Sequence, residues 1–137
     1  PAHPFMRNYL FAIALGVGIL GNAAQAMPTN HVDMTNAILD FLSRTELCLN
    51  SCRDTASVAE AVSQLNQLKQ ECAQLVETQR QLPEPTVQDY MAVQSKMEAF
   101  NTLWAAIRNH IERMEQEQLL TPELREILHI SPSSPKN

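Results

Sequence analysis

The chain has 137 residues, with 10 Lys and Arg against 15 Asp and Glu, a net charge of −5 and a pI near 5.3. That length suits one small domain, and the acidic balance argues against a nucleic-acid partner. Its three glycines, Gly16, Gly18 and Gly21, all fall in one N-terminal apolar stretch. The rest lacks the residue most used by hairpin turns, left-handed backbone positions and phosphate-cradling loops, which argues against a β-rich fold and a nucleotide fingerprint.

Residues 6–26 read as a secretory signal peptide. Met6-Arg7-Asn8-Tyr9 is a short positive head, Leu10 to Gly21 is an apolar run, and Ala24-Gln25-Ala26 is a small-x-small cleavage site. The run is too short for a membrane span, which needs about 20 apolar residues. Met27 follows the cleavage site in place of the cysteine of a lipid-anchored precursor, so the mature product is expected to be soluble, with no stable membrane span. Residues 1–5 precede the first initiator and read as an upstream extension or tag remnant. Taking 26 residues from 137 leaves 111, and the loss of Arg7 moves the net charge from −5 to −6.

Within 27–130 the patterns are helical. Asn30-His31-Val32-Asp33 offers an N-cap followed by an acid, and Ile38, Leu42, Thr45, Leu49 and Cys52 recur at helical spacing, which predicts a first helix over 31–52. After a polar break at 54–57, Ser57-Val58-Ala59-Glu60 has the form of a capping box. It opens a second helix whose apolar line is Val58, Ala61, Leu65, Leu68, Cys72, Leu75 and Leu82, stopped by Pro83-Glu84-Pro85. Thr86 to Asp89 caps a third helix with the clearest seam in the chain: Tyr90, Val93, Met97, Phe100, Trp104, Ile107, Ile111 and Met114 alternate spacings of three and four, predicting one long straight helix. Thr121-Pro122-Glu123 starts a short fourth helix with Leu124, Ile127, Leu128 and Ile130 on its apolar face, and residues 131–137 read as a disordered tail. The expected fold is all-α, an antiparallel up-down-up bundle of three long helices with a short fourth helix across one end. Such a bundle can satisfy its three seams internally, and the same seams suit self-association.

The stretch from Asp54 to Ala61 with Leu65, and then Leu82-Pro83-Glu84-Pro85-Thr86, resembles small exported bacterial helical proteins with an Asp-x-Ala-Ser helix start and a Leu-Pro-x-Pro-Thr break. That resemblance spans roughly 30–130 and implies the fold and an envelope location, but no activity. The first helix start is similar to that of soluble four-helix b-type cytochromes, which implies a haem held by Met34 and a last-helix His, here His129. The Cys-x-x-Cys-His attachment of c-type haem is absent. Leu120-Thr121-Pro122-Glu123-Leu124-Arg125 resembles the Leu-Thr-x-x-Gln motif of periplasmic stress chaperones, with Leu124 in place of the glutamine. N-capping by Thr121 also explains that stretch.

Cys48, Cys52 and Cys72 carry the sharpest chemistry. A bridge from Cys48 to Cys72 is ruled out by a gap of about 15 Å along antiparallel helices rising 1.5 Å per residue, against the 4.4–6.8 Å a disulfide spans. Cys72 lies on the second seam and reads as a buried apolar residue. Cys48 and Cys52, one turn apart, are left as a disulfide, as two free thiols, as intermolecular bridges or as metal ligands. Mirroring the chain about its two turns places His110 near Cys52, so Cys48, Cys52 and His110, with a carboxylate such as Glu60, form a candidate zinc or copper(I) site. The carboxylates and bases around Glu112-Arg113 and Glu115 to Glu117 read as a solvated face, and no catalytic constellation or resident cofactor is expected. The function expected is an exported, non-catalytic interaction protein of the periplasm or extracellular space, self-associating or binding a protein partner. Its face is Tyr90, Met97, Phe100, Trp104, Ile107 and Ile111 with the short fourth helix. A thiol and histidine metal or redox module is the alternative, and a stress-chaperone-like protein another.

Overall fold

Capping chemistry sets where the helices of this computed structural model begin. It describes residues 27–130, so the expected extension, leader and tail lie outside the described residues. Five helices are present among these: α1 (His31–Asn50), α2 (Thr55–Gln81), α3 (Val87–Gln94), α4 (Met97–Gln116) and α5 (Pro122–Ile127). The described residues form no strand, and none of their helices is long and apolar enough to cross a membrane.

Asn30 opens α1, its side-chain oxygen accepting from the Asp33 amide at 2.8 Å. The helix ends two residues before the expected 52, and Cys52 lies outside it. At α2 the expected box moves by three residues. Asp54, with extended backbone, is the N-cap and accepts from the Ser57 amide at 2.8 Å, while the Ser57 hydroxyl takes the Asp54 amide at 2.9 Å. Ser57 is thus the third helical residue of the box, the position whose side-chain oxygen returns to the N-cap amide. Thr86 and Asp89 form the box of α3, and Thr121 caps α5 with Pro122 in the first turn.

The long third helix is corrected to two. The chain turns at Ser95 and Lys96, where the Ser95 hydroxyl donates to the Ala92 carbonyl at 2.6 Å and the Lys96 amide to the Val93 carbonyl at 3.0 Å. The Ser95 amide still reaches Met91 at 3.1 Å, but at Lys96 the i to i−3 bond takes the place of the i to i−4 one, and the seam resumes in α4.

The C-termini of α4 and α5 both close in the left-handed region without glycine. Gln118 has φ 58° and His129 φ 55°. The Leu119 amide returns to the Met114 carbonyl at 2.8 Å and the Gln118 amide to Glu115 at 3.1 Å; Ile130 to Arg125 at 2.8 Å and His129 to Glu126 at 3.3 Å repeat the pattern. Each is a Schellman closure, with Leu119 or Ile130 packed against the core as its apolar contact.

One core joins the helices. Met34, Ile38, Phe41, Leu42 and Leu49 of α1 are fully buried, facing Leu65, Leu68 and Cys72 of α2 and Phe100, Ile107 and Met114 of α4, with Leu124 and Ile127 from α5. At about 1.5–3 kcal/mol for each large side chain taken from water, this seam dominates the stability. Helix α1 packs against α2, α3 and α4, and α5 packs on α2. At one end His31 of α1 reaches Pro83, just past α2, with Nε2 2.6 Å from the carbonyl; at the other, Cys48 Sγ lies 3.4 Å from Gln64 Oε1 in the first half of α2.

Candidate functional site

The expected chemistry lies around the last turns of α1. Cys48 is 6% exposed and Cys52 is fully buried, and both, like buried Cys72, are thiols outside any disulfide. Cys48 Sγ donates to Gln64 Oε1 and, at 3.8 Å, to the Ala61 carbonyl; Cys52 Sγ donates to the Cys48 carbonyl at 3.5 Å. Of the states considered for Cys48 and Cys52, the one present here is two separately anchored thiols. Burial pushes the Cys48 thiol up to about 12, reinforced by Cys52 and Glu60 nearby. Cys52 is raised by burial as well, with Arg113 and Arg53 pulling the other way.

His110 falls one turn from where the mirror argument put it. Its Nε2 lies 2.7 Å from Glu46 Oε2 on α1, with side-chain exposures of 18% and 24%. Arg113, three residues further along α4, stands at the level of Cys52. It donates through Nη1 to the Cys52 carbonyl at 3.0 Å and through Nη2 to the Leu49 carbonyl at 3.2 Å. The structure does not gather Cys48, Cys52 and His110 as a ligand set, and among the described residues no group of three or more His, Cys, Asp or Glu is placed to hold a metal ion. The turn at Ser95 and Lys96 lies within the span over which that mirror argument assumed a continuous helix.

Arg113 and Glu46 are the residues that sequence reasoning missed. Both look like members of charged helix faces, and their role follows only from the carbonyl ends of α1 meeting α4. Glu115, also read as solvated, takes Arg125 Nη2 at 2.6 and 2.8 Å. His31, without an expected partner, is buried and donates to the Pro83 carbonyl, because a carbonyl only accepts.

Compared with known protein families, curated proteins and solved structures, the chain matches none.

The haem pair is not assembled: Met34 is fully buried in the core and His129 is exposed beyond α5. In the chaperone-like stretch, Thr121 Oγ1 accepts from the Leu124 amide at 3.1 Å and Leu124 is fully buried, so the position where that motif has glutamine is a core position here. The expected interaction face is largely core. Phe100 and Ile107 are buried, and Tyr90, Met97, Trp104 and Ile111 are partly buried against the same cluster. Among large apolar residues of the described chain the outward ones are elsewhere: Leu47 is 60% exposed, Met91 65% and Val87 75%, with Met27 and Val32 at 40% each. Leu47 lines a groove of about 580 Å³ between α1 and α2, with Arg44, Cys48, Ser51, Glu60 and Gln64.

Proposed function

We propose that this chain is an exported, non-catalytic helical protein that acts by self-association or by binding a protein partner, through the outer surface of α1 and α2 in place of the α4 seam. The observation that carries the reading is Leu47, a large apolar side chain left 60% exposed inside a groove between the two longest adjoining helices. The groove mixes apolar Leu47, Ala61 and Leu68 with polar Arg44, Glu60, Ser51 and Gln64. That distribution is the one found at interfaces that form and dissociate.

The arrangement proposed for the helices is up-down-up, with α3 and α4 together forming the third long rod and α5 across one end. Three contacts support it. His31 meets Pro83, Cys48 meets Gln64, and Arg113 near the end of α4 meets the end of α1. The first two run α1 and α2 in opposite directions, and the third runs α1 and α4 together.

Sedimentation velocity over a wide concentration range tests the interaction reading. A mass that rises with concentration, or a stable complex with a protein captured from the envelope fraction, is expected. A monomer that captures nothing there overturns it. Expression of the chain in a bacterial host with a reporter fused at its C-terminus tests export: a mature product beginning at Met27 outside the cytoplasm is expected, and an uncleaved cytoplasmic product overturns that part.

A further inference from the structure

The buried lines of α1 and α2 are apolar over most of their length and turn polar at one shared end. On α1 the line of Leu42 and Ile38 continues to Thr35 and His31, and on α2 the line of Leu68, Cys72 and Leu75 continues to Gln79. The Cys48–Gln64 and His31–Pro83 bonds set the two helices antiparallel, so Gln79, in the last turn of α2, stands at the level of the first turns of α1. His31 is 4% exposed, Thr35 1% and Gln79 6%. The other buried polar side chain among the described residues, Thr45, donates to the Phe41 carbonyl at 3.0 Å within its own helix.

The hydrogen bonds of this polar end do not close on one another. Thr35 gives its hydroxyl hydrogen to the His31 carbonyl at 2.7 Å, within α1. His31 uses Nε2 for the Pro83 carbonyl, which leaves Nδ1 of the neutral ring as a bare acceptor, and Nδ1 has no hydrogen-bond partner among the described residues. Nor has the Gln79 amide, whose Nε2 and Oε1 are both buried. An acceptor on α1 and a donor with an acceptor on α2 therefore share one buried level, where an unmet polar group costs more than a made bond returns.

We propose that this end of the α1–α2 interface is an internal hydration site, holding one water molecule between His31 Nδ1 and the Gln79 side-chain amide. The water donates one O–H to Nδ1 and the other to Gln79 Oε1, and its oxygen accepts the amide N–H that lies on the same side as Oε1. One molecule thereby satisfies all three atoms, and three partners are about the usual number for a buried water. An apolar occupant would satisfy none of them. A metal ion would find neither a carboxylate nor a thiolate among these three side chains, and among the described residues no group of three or more His, Cys, Asp or Glu is placed to hold one. The water extends the His31–Pro83 tie into the body of α2, joining the two helices where their apolar lines have ended.

Water–protein NOE and ROE spectra of the isotope-labelled chain test this. The Gln79 side-chain amide protons are expected to show cross-peaks to water of opposite sign in the two experiments, as a water held for longer than the protein tumbles must give. Thr35→Val removes the nearby hydroxyl through which proton exchange imitates such a contact, and the cross-peaks are expected to persist in it. In Gln79→Met the water loses two of its three partners, and the His31 Nδ1 resonance is expected to shift to that of a ring nitrogen without a hydrogen bond. Circular dichroism confirms that each variant folds; should Gln79→Met unfold, the spectra of the parent and of Thr35→Val decide by themselves. Absence of the cross-peaks in the parent, or their loss in Thr35→Val, overturns the site. An Nδ1 resonance unmoved in folded Gln79→Met overturns it too, as does a scalar coupling across a direct bond from Gln79 Nε2 to His31 Nδ1, which would show that the amide closes on the ring without water.

Discussion

Glu46 on α1 and His110 on α4 meet at 2.7 Å, with only 24% and 18% of their side chains exposed, and they tie the two helices near the end opposite His31. A hydrogen bond this sheltered between a carboxylate and an imidazole contributes more than an exposed pair. Replacing His110 with Ala is expected to cost about 1–2 kcal/mol in urea unfolding, and Glu46→Gln, which keeps an acceptor, less. A double-mutant cycle with Glu46→Ala and His110→Ala should show coupling of about 0.5 kcal/mol or more. Strictly additive losses would mean that the two residues act separately.

Arg113 ties α4 to the C-terminal end of α1, donating to the Leu49 carbonyl, which also accepts from the Cys52 amide at 3.1 Å, and to the Cys52 carbonyl just beyond the helix. Its two Nη atoms reach Cys52 and Leu49 at 3.0 and 3.2 Å, and Glu117 holds the guanidinium at 3.1 Å. Arg113→Met keeps the aliphatic stem and removes both donors, with an expected loss of about 1–3 kcal/mol. Arg113→Lys, a point donor in place of a fork, should recover only part of it. Hydrogen exchange of amides in the last turn of α1 should quicken in Arg113→Met beyond the change in global stability; equal changes would show that the contact is not local.

How much of this was legible follows from what each feature depends on. The caps at Asn30, Thr86 and Thr121 are short-range, and the sequence placed them correctly, as it placed Cys72 in the core. The turn at Ser95 was not legible, because a serine hydroxyl bonding back three residues leaves no glycine or proline in the sequence. The cap at Asp54 was misplaced by one turn because Ser57 fits both roles of the box. The candidate metal set was inferred from level along the bundle. An error of one turn was enough to give His110 to Glu46 and put Arg113 beside Cys52. The α4 seam was legible as apolar and as one that a bundle can satisfy internally, but only the packed structure shows that α1 is the helix that covers it.

The thiols should be slow to react. With Cys48 pushed up to about 12 by burial and Cys52 raised as well, the nucleophilic thiolate is scarce at neutral pH. Labelling by a disulfide reagent such as Ellman's is expected to follow the unfolding equilibrium and to accelerate in urea. Fast labelling of the native chain would show that α1 opens locally near Cys48. The same shift sets a sign for alkaline stability. The unfolded thiol ionises near 9 and the folded one near 12, so the contribution of Cys48 is complete below 9 and is lost as pH rises toward 12. Cys48→Ala should flatten the fall in stability over that window.

Acid acts on the caps in the opposite direction. The Ser57 amide and hydroxyl hold the Asp54 carboxyl below its ordinary value of 3.8, and the Thr86 amide does the same for Asp89, where His31 adds a smaller pull. Their contributions are complete above 3.8 and disappear as pH falls through the lowered values. Asp54→Asn and Asp89→Asn should each reduce the pH dependence of helicity below 3.8 in circular dichroism, with the larger loss at α2, the longer helix. An unaltered acid transition in both variants would remove the caps as its cause.

The left-handed closures at Gln118 and His129 predict a gain. A side chain with a Cβ is disfavoured at φ 58° or 55°, and glycine adopts that geometry without the clash. Neither side chain has a structural duty comparable to its backbone: both are exposed, while the closing bonds to Glu115 and Glu126 come from their amides. Gln118→Gly and His129→Gly are each expected to stabilise the chain by about 0.5–1 kcal/mol, relief of the clash outweighing the extra freedom of the unfolded chain. Their effects should add, because the two closures belong to separate helices with separate bonds. Thermal unfolding checks this. A fall in Tm for either variant would show that its side chain makes a stabilising contact that the left-handed backbone conceals.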